Sequence, residues 1–117
     1  MYGVPLDVDW SFMIGPVVEQ IAIGMWDVQI NMTDHIAISI NSPFEHVSST
    51  KSAPGQSLAQ QGAGLISLLK RSIRSVRAED RTCLRIEFDN AEVVKLFEHD
   101  NGYECFSIWK KDGPIVV

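Results

Sequence analysis

Cysteine is nearly absent from this chain: Cys83 and Cys105 are the only two in 117 residues. They lie in strand-like segments with no C-x-x-C and no Cys/His ligand spacing. This excludes a disulfide framework or zinc finger and reads as free thiols in a reducing compartment. No stretch approaches ~18 consecutive apolar residues, so a membrane-spanning helix is excluded as well. The segment Met1 to Asp7 has no basic residue before its first acid, unlike a secretory signal. A cytoplasmic protein is the expectation. At this length the chain reads as one domain over residues 1–117, able to bury roughly two-thirds of its unfolded surface without staples.

Basic residues are missing from the first half. Residues 1–50 hold six acids and no Lys or Arg, whereas residues 51–117 hold all ten basic residues against nine acids. Lys70, Arg71, Arg74, Arg77, Arg81 and Arg85 cluster, with Glu79 and Asp80 among them. Two uses fit: neutralisation of the acidic half by the basic half, or a basic face for an acidic partner. The first is favoured, because the net charge is −5 and no aromatic residues interleave with the arginines. Nucleic-acid binding is therefore not expected.

What the chain does contain is a repeat of architecture. Val18, Ile21 and Ile23 are answered 55 residues later by Ile73, Val76 and Ala78; Val28, Ile30 and Met32 are answered 56 later by Leu84, Ile86 and Phe88. Ile38 and Ile40 then match Val94 and Leu96, and Phe44-Glu45-His46 is set against Phe97-Glu98-His99. Each unit, about 15–46 and 70–99, reads as a three-stranded antiparallel meander. The three-residue steps from Val18 to Ile21 and from Ile73 to Val76 predict a β-bulge at the same place in both. The fold class is α+β: two pseudo-repeated meanders forming a twisted sheet or partly closed roll, with one connecting helix.

Strands are predicted near 17–23, 27–32, 35–40, 72–78, 83–89, 92–97, 103–110 and 114–117, with turns at Thr33-Asp34-His35 and Asp89-Asn90-Ala91. Asp9 is placed to cap a single helical turn, with Trp10 and Phe12 plugging one end of the core. Residues 47–57 read as a flexible linker. A helix follows from Ser57 to Arg71, with Leu58, Leu65, Ile66 and Leu69 as its apolar stripe. Gly62 and Gly64 weaken it by roughly 1 kcal/mol each unless they permit close packing on the sheet.

The paired Phe-Glu-His segments are the candidate site. Across a pseudo-twofold axis Glu45, His46, Glu98 and His99 would form an N/O ligand set for a divalent metal, against the plainer reading that each Phe anchors the core while Glu and His face solvent. No cofactor is otherwise implied. Nor is catalysis: Cys105 has no His at an activating spacing, the serines lack a G-x-S-x-G elbow, and Gly62-x-Gly64 lacks the rest of a phosphate loop. Alternation on the last long strand puts Phe106 and Ile108 in the core. Tyr103, Cys105 and Trp109 then fall on the opposite face, to be covered by the helix or by another chain. Trp26, in an apparent loop, is a second interface anchor.

The strand Tyr103-Glu104-Cys105-Phe106-Ser107-Ile108, preceded by Leu84-Arg85-Ile86-Glu87-Phe88-Asp89 and by a helix ending Leu68-Leu69, resembles a family of small uncharacterised bacterial domains with a duplicated hairpin. In that family a Tyr-Glu-x-aromatic-Ser/Thr-aliphatic strand closes the domain. The resemblance covers about 15–117 and implies the fold, with no established activity. The functional expectation is a small protein-binding module, immunity- or regulator-like, acting alone or as a homodimer, rather than an enzyme. The alternative is a small-molecule or metal-binding protein using the Phe-Glu-His pairs.

Overall fold

In a computed structural model, residues 3–47, 58–98 and 105–117 are described. The alternating segments form strands β1 (Val18–Ile23), β2 (Val28–Met32) and β3 (Ala37–Ile40), followed by a short β4 (Glu45–Val47). Helix α1 (Leu58–Gly64) leads to β5 (Ile73–Asp80), β6 (Cys83–Phe88), β7 (Val93–Phe97), β8 (Phe106–Lys110) and β9 (Gly113–Val116). The strands make two open antiparallel sheets, ordered β1-β2-β3-β8-β9 and β4-β7-β6-β5. Their apolar faces feed one core, in which Ile30, Ile38, Leu84, Ile86, Leu96 and Ile108 are completely buried. The α+β architecture of two meanders and one helix thus stands, but each meander is the nucleus of its own open sheet, in place of the single twisted sheet or partly closed roll expected.

The two meanders share one register. Ile21 opposes Ile30, which opposes Ile38; at the equivalent positions Val76 opposes Ile86, which opposes Val94. Both first strands are bulged where the sequence spacing asks for it, between Val18 and Gln20 and between Ile73 and Ser75. The fourth strand of each half leaves its own meander and completes the other: β4 pairs with β7, and β8 pairs with β3. Val17 and Ser72, which are equivalent residues, bridge each other antiparallel, as a local dyad between the halves requires. The exchange corrects one alignment. His46 opposes Val94 as Ile108 opposes Ile38, so the counterpart of Phe44-Glu45-His46 is Phe106-Ser107-Ile108 and not Phe97-Glu98-His99. Sequence matching cannot see this, because β4 has only three residues and pairs across the halves.

The equivalence reaches further than the apolar alternation. A 3-10 turn at Trp10–Met13 recurs at Leu65–Leu68, 55 residues on, each burying its first and last residue. Asp9 caps the first as expected, its Oδ1 accepting from the Ser11 N–H at 3.0 Å, and the Trp10 and Phe12 rings meet at a tilt of 36° with centroids 6.2 Å apart. The second replaces what reads as the last two turns of a helix. Because a 3-10 turn has three residues per turn, its buried pair is Leu65 and Leu68, while Ile66 and Leu69 of the expected stripe are turned outward. The helix packs on the core side of the first sheet at its β1 edge. There a Cβ on Gly62 would meet Val28 Cγ2 at 2.9 Å and Ile23 Cγ1 at 3.1 Å.

Of the basic cluster, Arg74 and Arg85 pair with acids of their own meander. Glu87 pairs with Arg74 and, at 3.0 Å, with Arg85; Glu79 lies 3.8 Å from Arg85 and 3.5 Å from Lys95. The two guanidinium groups hold the Glu87 carboxyl below its ordinary value.

Candidate binding surfaces and the His46–Glu92 cluster

The β1–β2 hairpin ends in Gly24-Met25-Trp26-Asp27, closed by the Gly24 N–H donating to the Asp27 carbonyl at 2.8 Å. Met25 is 82% and Trp26 79% exposed, the most exposed large apolar residues described. The equivalent tip of the second meander is polar: Asp80 accepts from both the N–H and the hydroxyl of Thr82, which lowers the Asp80 carboxyl's pKa. An apolar tip is therefore not something this fold demands.

Trp109 lies elsewhere. It pairs with Ala37 and Pro114 at the opposite end of the first sheet, by strand geometry roughly 20 Å from Trp26. Phe106 and Ile108 are buried and Trp109 is half-exposed on the outer face, its indole N–H donating to Ser107 Oγ at 2.9 Å. That contact lays the ring over Ser107, which is buried in consequence. The helix does not cover this face, since it touches Val28 and Ile23 from the core side. Cys105 departs from the expected parity and is fully buried. Its N–H and that of Phe106 both donate to the Val117 carbonyl, at 2.7 and 3.3 Å, so the alternation starts only after it. Cys83 is also buried, and desolvation, assisted by Glu79, pushes its thiol pKa up. Tyr103 lies outside the described residues.

On the outer face of the first sheet, register sets Gln20, Asn31, Ala37, Trp109 and Pro114 in one row. Ala22, Gln29, Ser39, Ser107 and Val116 make the next. No position in either row is ionisable. The equivalent face of the second sheet carries Arg77, Arg85, Glu87, Lys95 and Glu45.

Of the metal candidates, Glu45 and His46 are adjacent on β4 and so point to opposite sides of it. Glu45 opposes Lys95, while Glu98 lies three residues farther along, roughly 10 Å away. His99 falls outside the described residues, as does the 48–57 part of the linker. His46 is engaged in a cluster that the sequence reading passed over: its Nε2 is 2.6 Å from Glu92 Oε1, which also accepts from the Ser67 hydroxyl at 2.8 Å, while Asn90 donates to Oε2. Glu92 is buried because β7 begins just after the hairpin turn and tucks it under the 3-10 turn. Ser67 bonds the carboxylate and not the imidazole, so the arrangement lacks the serine–histidine contact of a nucleophilic relay. It ties β4, β7 and the 3-10 turn together. Among the described residues no group of three or more His, Cys, Asp or Glu is placed to hold a metal ion.

An open cleft of about 380 Å³ separates the first 3-10 turn from β5, lined in part by Trp10, Ser11, Arg74 and Ser75. Its charged groups are committed elsewhere, Asp9 to its cap and Arg74 to Glu87. Among the described residues no helix is long and apolar enough to cross a membrane. The chain matches no protein-family model, no curated protein and no solved structure.

Proposed function

We propose that this protein is a small cytoplasmic protein-binding module of the regulator or immunity kind, a binder rather than an enzyme, with the Met25–Trp26 hairpin tip as its anchor. The observation that carries the reading is the near-complete exposure of two adjacent large apolar side chains on a tightly closed hairpin. A soluble chain gains nothing from presenting them to water, and an aromatic anchor entering a pocket is a common source of binding energy. The surroundings define the partner. The tip is flanked by Asp27 in a half of the chain with no Lys or Arg, so the complementary surface is an apolar pocket with a basic rim. The polar counterpart tip at Asp80–Thr82 supports the choice, because it shows the same hairpin folding without apolar residues.

The test is site-specific photo-crosslinking in the native host, with the reactive side chain at position 25 and a control at Lys111, an exposed turn residue. One adduct of defined mass is expected from position 25 alone, competed by excess unlabelled chain but not by Trp26→Ser. The purified partner should then bind Trp26→Ser at least roughly tenfold more weakly, with melting temperature unchanged. Equal labelling at both positions, or equal competition by Trp26→Ser, would overturn the reading.

A further inference from the structure

We infer that the outer face of the first sheet is a self-association surface, covered by the same face of a second copy of this chain about a twofold axis running along β3. This does not depend on the hairpin tip, which is a separate surface. The first ground is an internal control. The two sheets have one register, yet at matched positions the second sheet carries Lys95 where the first has Ser39, and Arg85 where it has Gln29. Charge is thus what the fold accepts on such a face when it meets water, and its complete absence from the two described rows of the first sheet calls for a different neighbour.

The second ground is desolvation. The amide of Asn31 donates to Gln20 and that of Gln29 to Asp27, both at 3.0 Å, and the Trp109 indole is satisfied by Ser107. Covering the face leaves the second N–H of each of these amides, and both of Gln20, to be met across the interface or by bridging water. The third ground is charge: two copies at −5 each repel, and approach through uncharged faces keeps their ionised groups at the periphery. Within the two rows a partner of opposite charge would find nothing to pair with, and the Asp27 carboxylate beyond their hairpin end is held by the Gln29 amide.

Shape selects the axis. A twofold along β3 sets the bulky β8–β9 side of one copy on the smaller β1–β2 side of the other, Val116 over Ala22 and Trp109 over Asn31, with Ser39 meeting Ser39. Edge pairing through β9 is disfavoured. Phe106 and Val117 exchange backbone bonds, so Ile115 faces β8 and Pro114 turns its backbone outward, where it has no N–H to offer. Five strands with two outward residues each give roughly 24 by 15 Å, about 360 Å² in projection per copy. For the pair that is about 720 Å² in projection, below the ~1,200 Å² at which stable specific interfaces begin. A weak, concentration-dependent dimer is the expected state.

Sedimentation equilibrium of the full chain tests this, with Ser39→Glu and Ser39→Lys as the variants. The equivalent residue Lys95 is charged, so both should fold and melt as the parent does. Each variant alone should dimerise at least roughly tenfold more weakly, because like charges meet on the axis, and an equimolar mixture should recover a mixed dimer. Should either variant fold poorly, Ala37→Cys, also near the axis, should form a disulfide-linked dimer on mild oxidation while buried Cys83 and Cys105 stay unlinked. A parent that remains monomeric at millimolar concentration, a dimer indifferent to both charges, or no linkage through position 37 would each overturn the inference.

Discussion

Gly62 and Gly64 sit in one short helix and differ in what surrounds them, so alanine at the two positions should move stability in opposite directions. By helix propensity alone each substitution stabilises by up to ~1 kcal/mol. At Gly64 no described residue opposes this, since its backbone is right-handed helical and, among the described residues, the only atom near a new Cβ is His46 Nδ1 at 3.8 Å, an ordinary contact. At Gly62 the methyl would lie 2.9 Å from Val28 Cγ2, about 1 Å inside a comfortable carbon–carbon separation. Ile23 is half-exposed and can yield, but Val28 is fully buried and β-branched, with restricted χ1 freedom. Overpacking of that kind costs ~1–3 kcal/mol, which outweighs the propensity gain. The net expectation is a loss of up to ~2 kcal/mol for Gly62→Ala and a gain of up to ~1 kcal/mol for Gly64→Ala. In a domain of this size, a gap of ~2 kcal/mol separates the melting temperatures by roughly 8 °C. Urea titrations followed by far-ultraviolet circular dichroism would measure it. If Gly62→Ala proves as stable as Gly64→Ala, the helix does not rest on Val28 in the way described.

The shared register makes Ile30 and Ile86 equivalent core residues, both fully buried, so Ile30→Ala and Ile86→Ala should each cost ~2–5 kcal/mol by denaturant titration; a near-neutral result at one of them would break the equivalence. Glu87 should contribute to acid stability. Its folded pKa is lowered by Arg74 and Arg85, so its contribution is complete above the ordinary glutamate value of 4.5 and is lost as pH falls through the folded value. Glu87→Gln should therefore be less stable than the parent at pH 7 and lose stability less steeply below pH 4.5, the reference value for the group, in thermal melts across pH; parallel curves would show the ion pairs to be without consequence.

The strands and their bulges were legible because alternation is a local property. A one-residue slip would turn every apolar side chain of β2 or β6 into water, so Val28, Ile30 and Met32 declare their face without help from the rest of the chain. The exposed tip was legible in part, since Gly24 and Asp27 bracket Met25 and Trp26 as a turn would. The Ser39 face was half legible: the absence of Lys and Arg from the first 50 residues was plain, but not that β8 and β9 would extend the same uncharged surface.

By itself, then, the sequence determined the two meanders, their common register and the unequal charge of the halves, all of which follow from spacing between neighbouring residues. Only the tertiary structure decided how the halves complete each other. The exchange of β4 and β8 rests on hydrogen bonds between residues about 50 and 70 apart, to which no local period corresponds. That exchange sets His46 opposite Val94 and leaves it beside Glu92 and Ser67 instead of a second Phe-Glu-His segment. The same holds for the 3-10 turn at Leu65–Leu68. Its residues suit an α-helix on propensity, and the tighter winding follows from burying Leu65 and Leu68 together in a core whose shape the two sheets define.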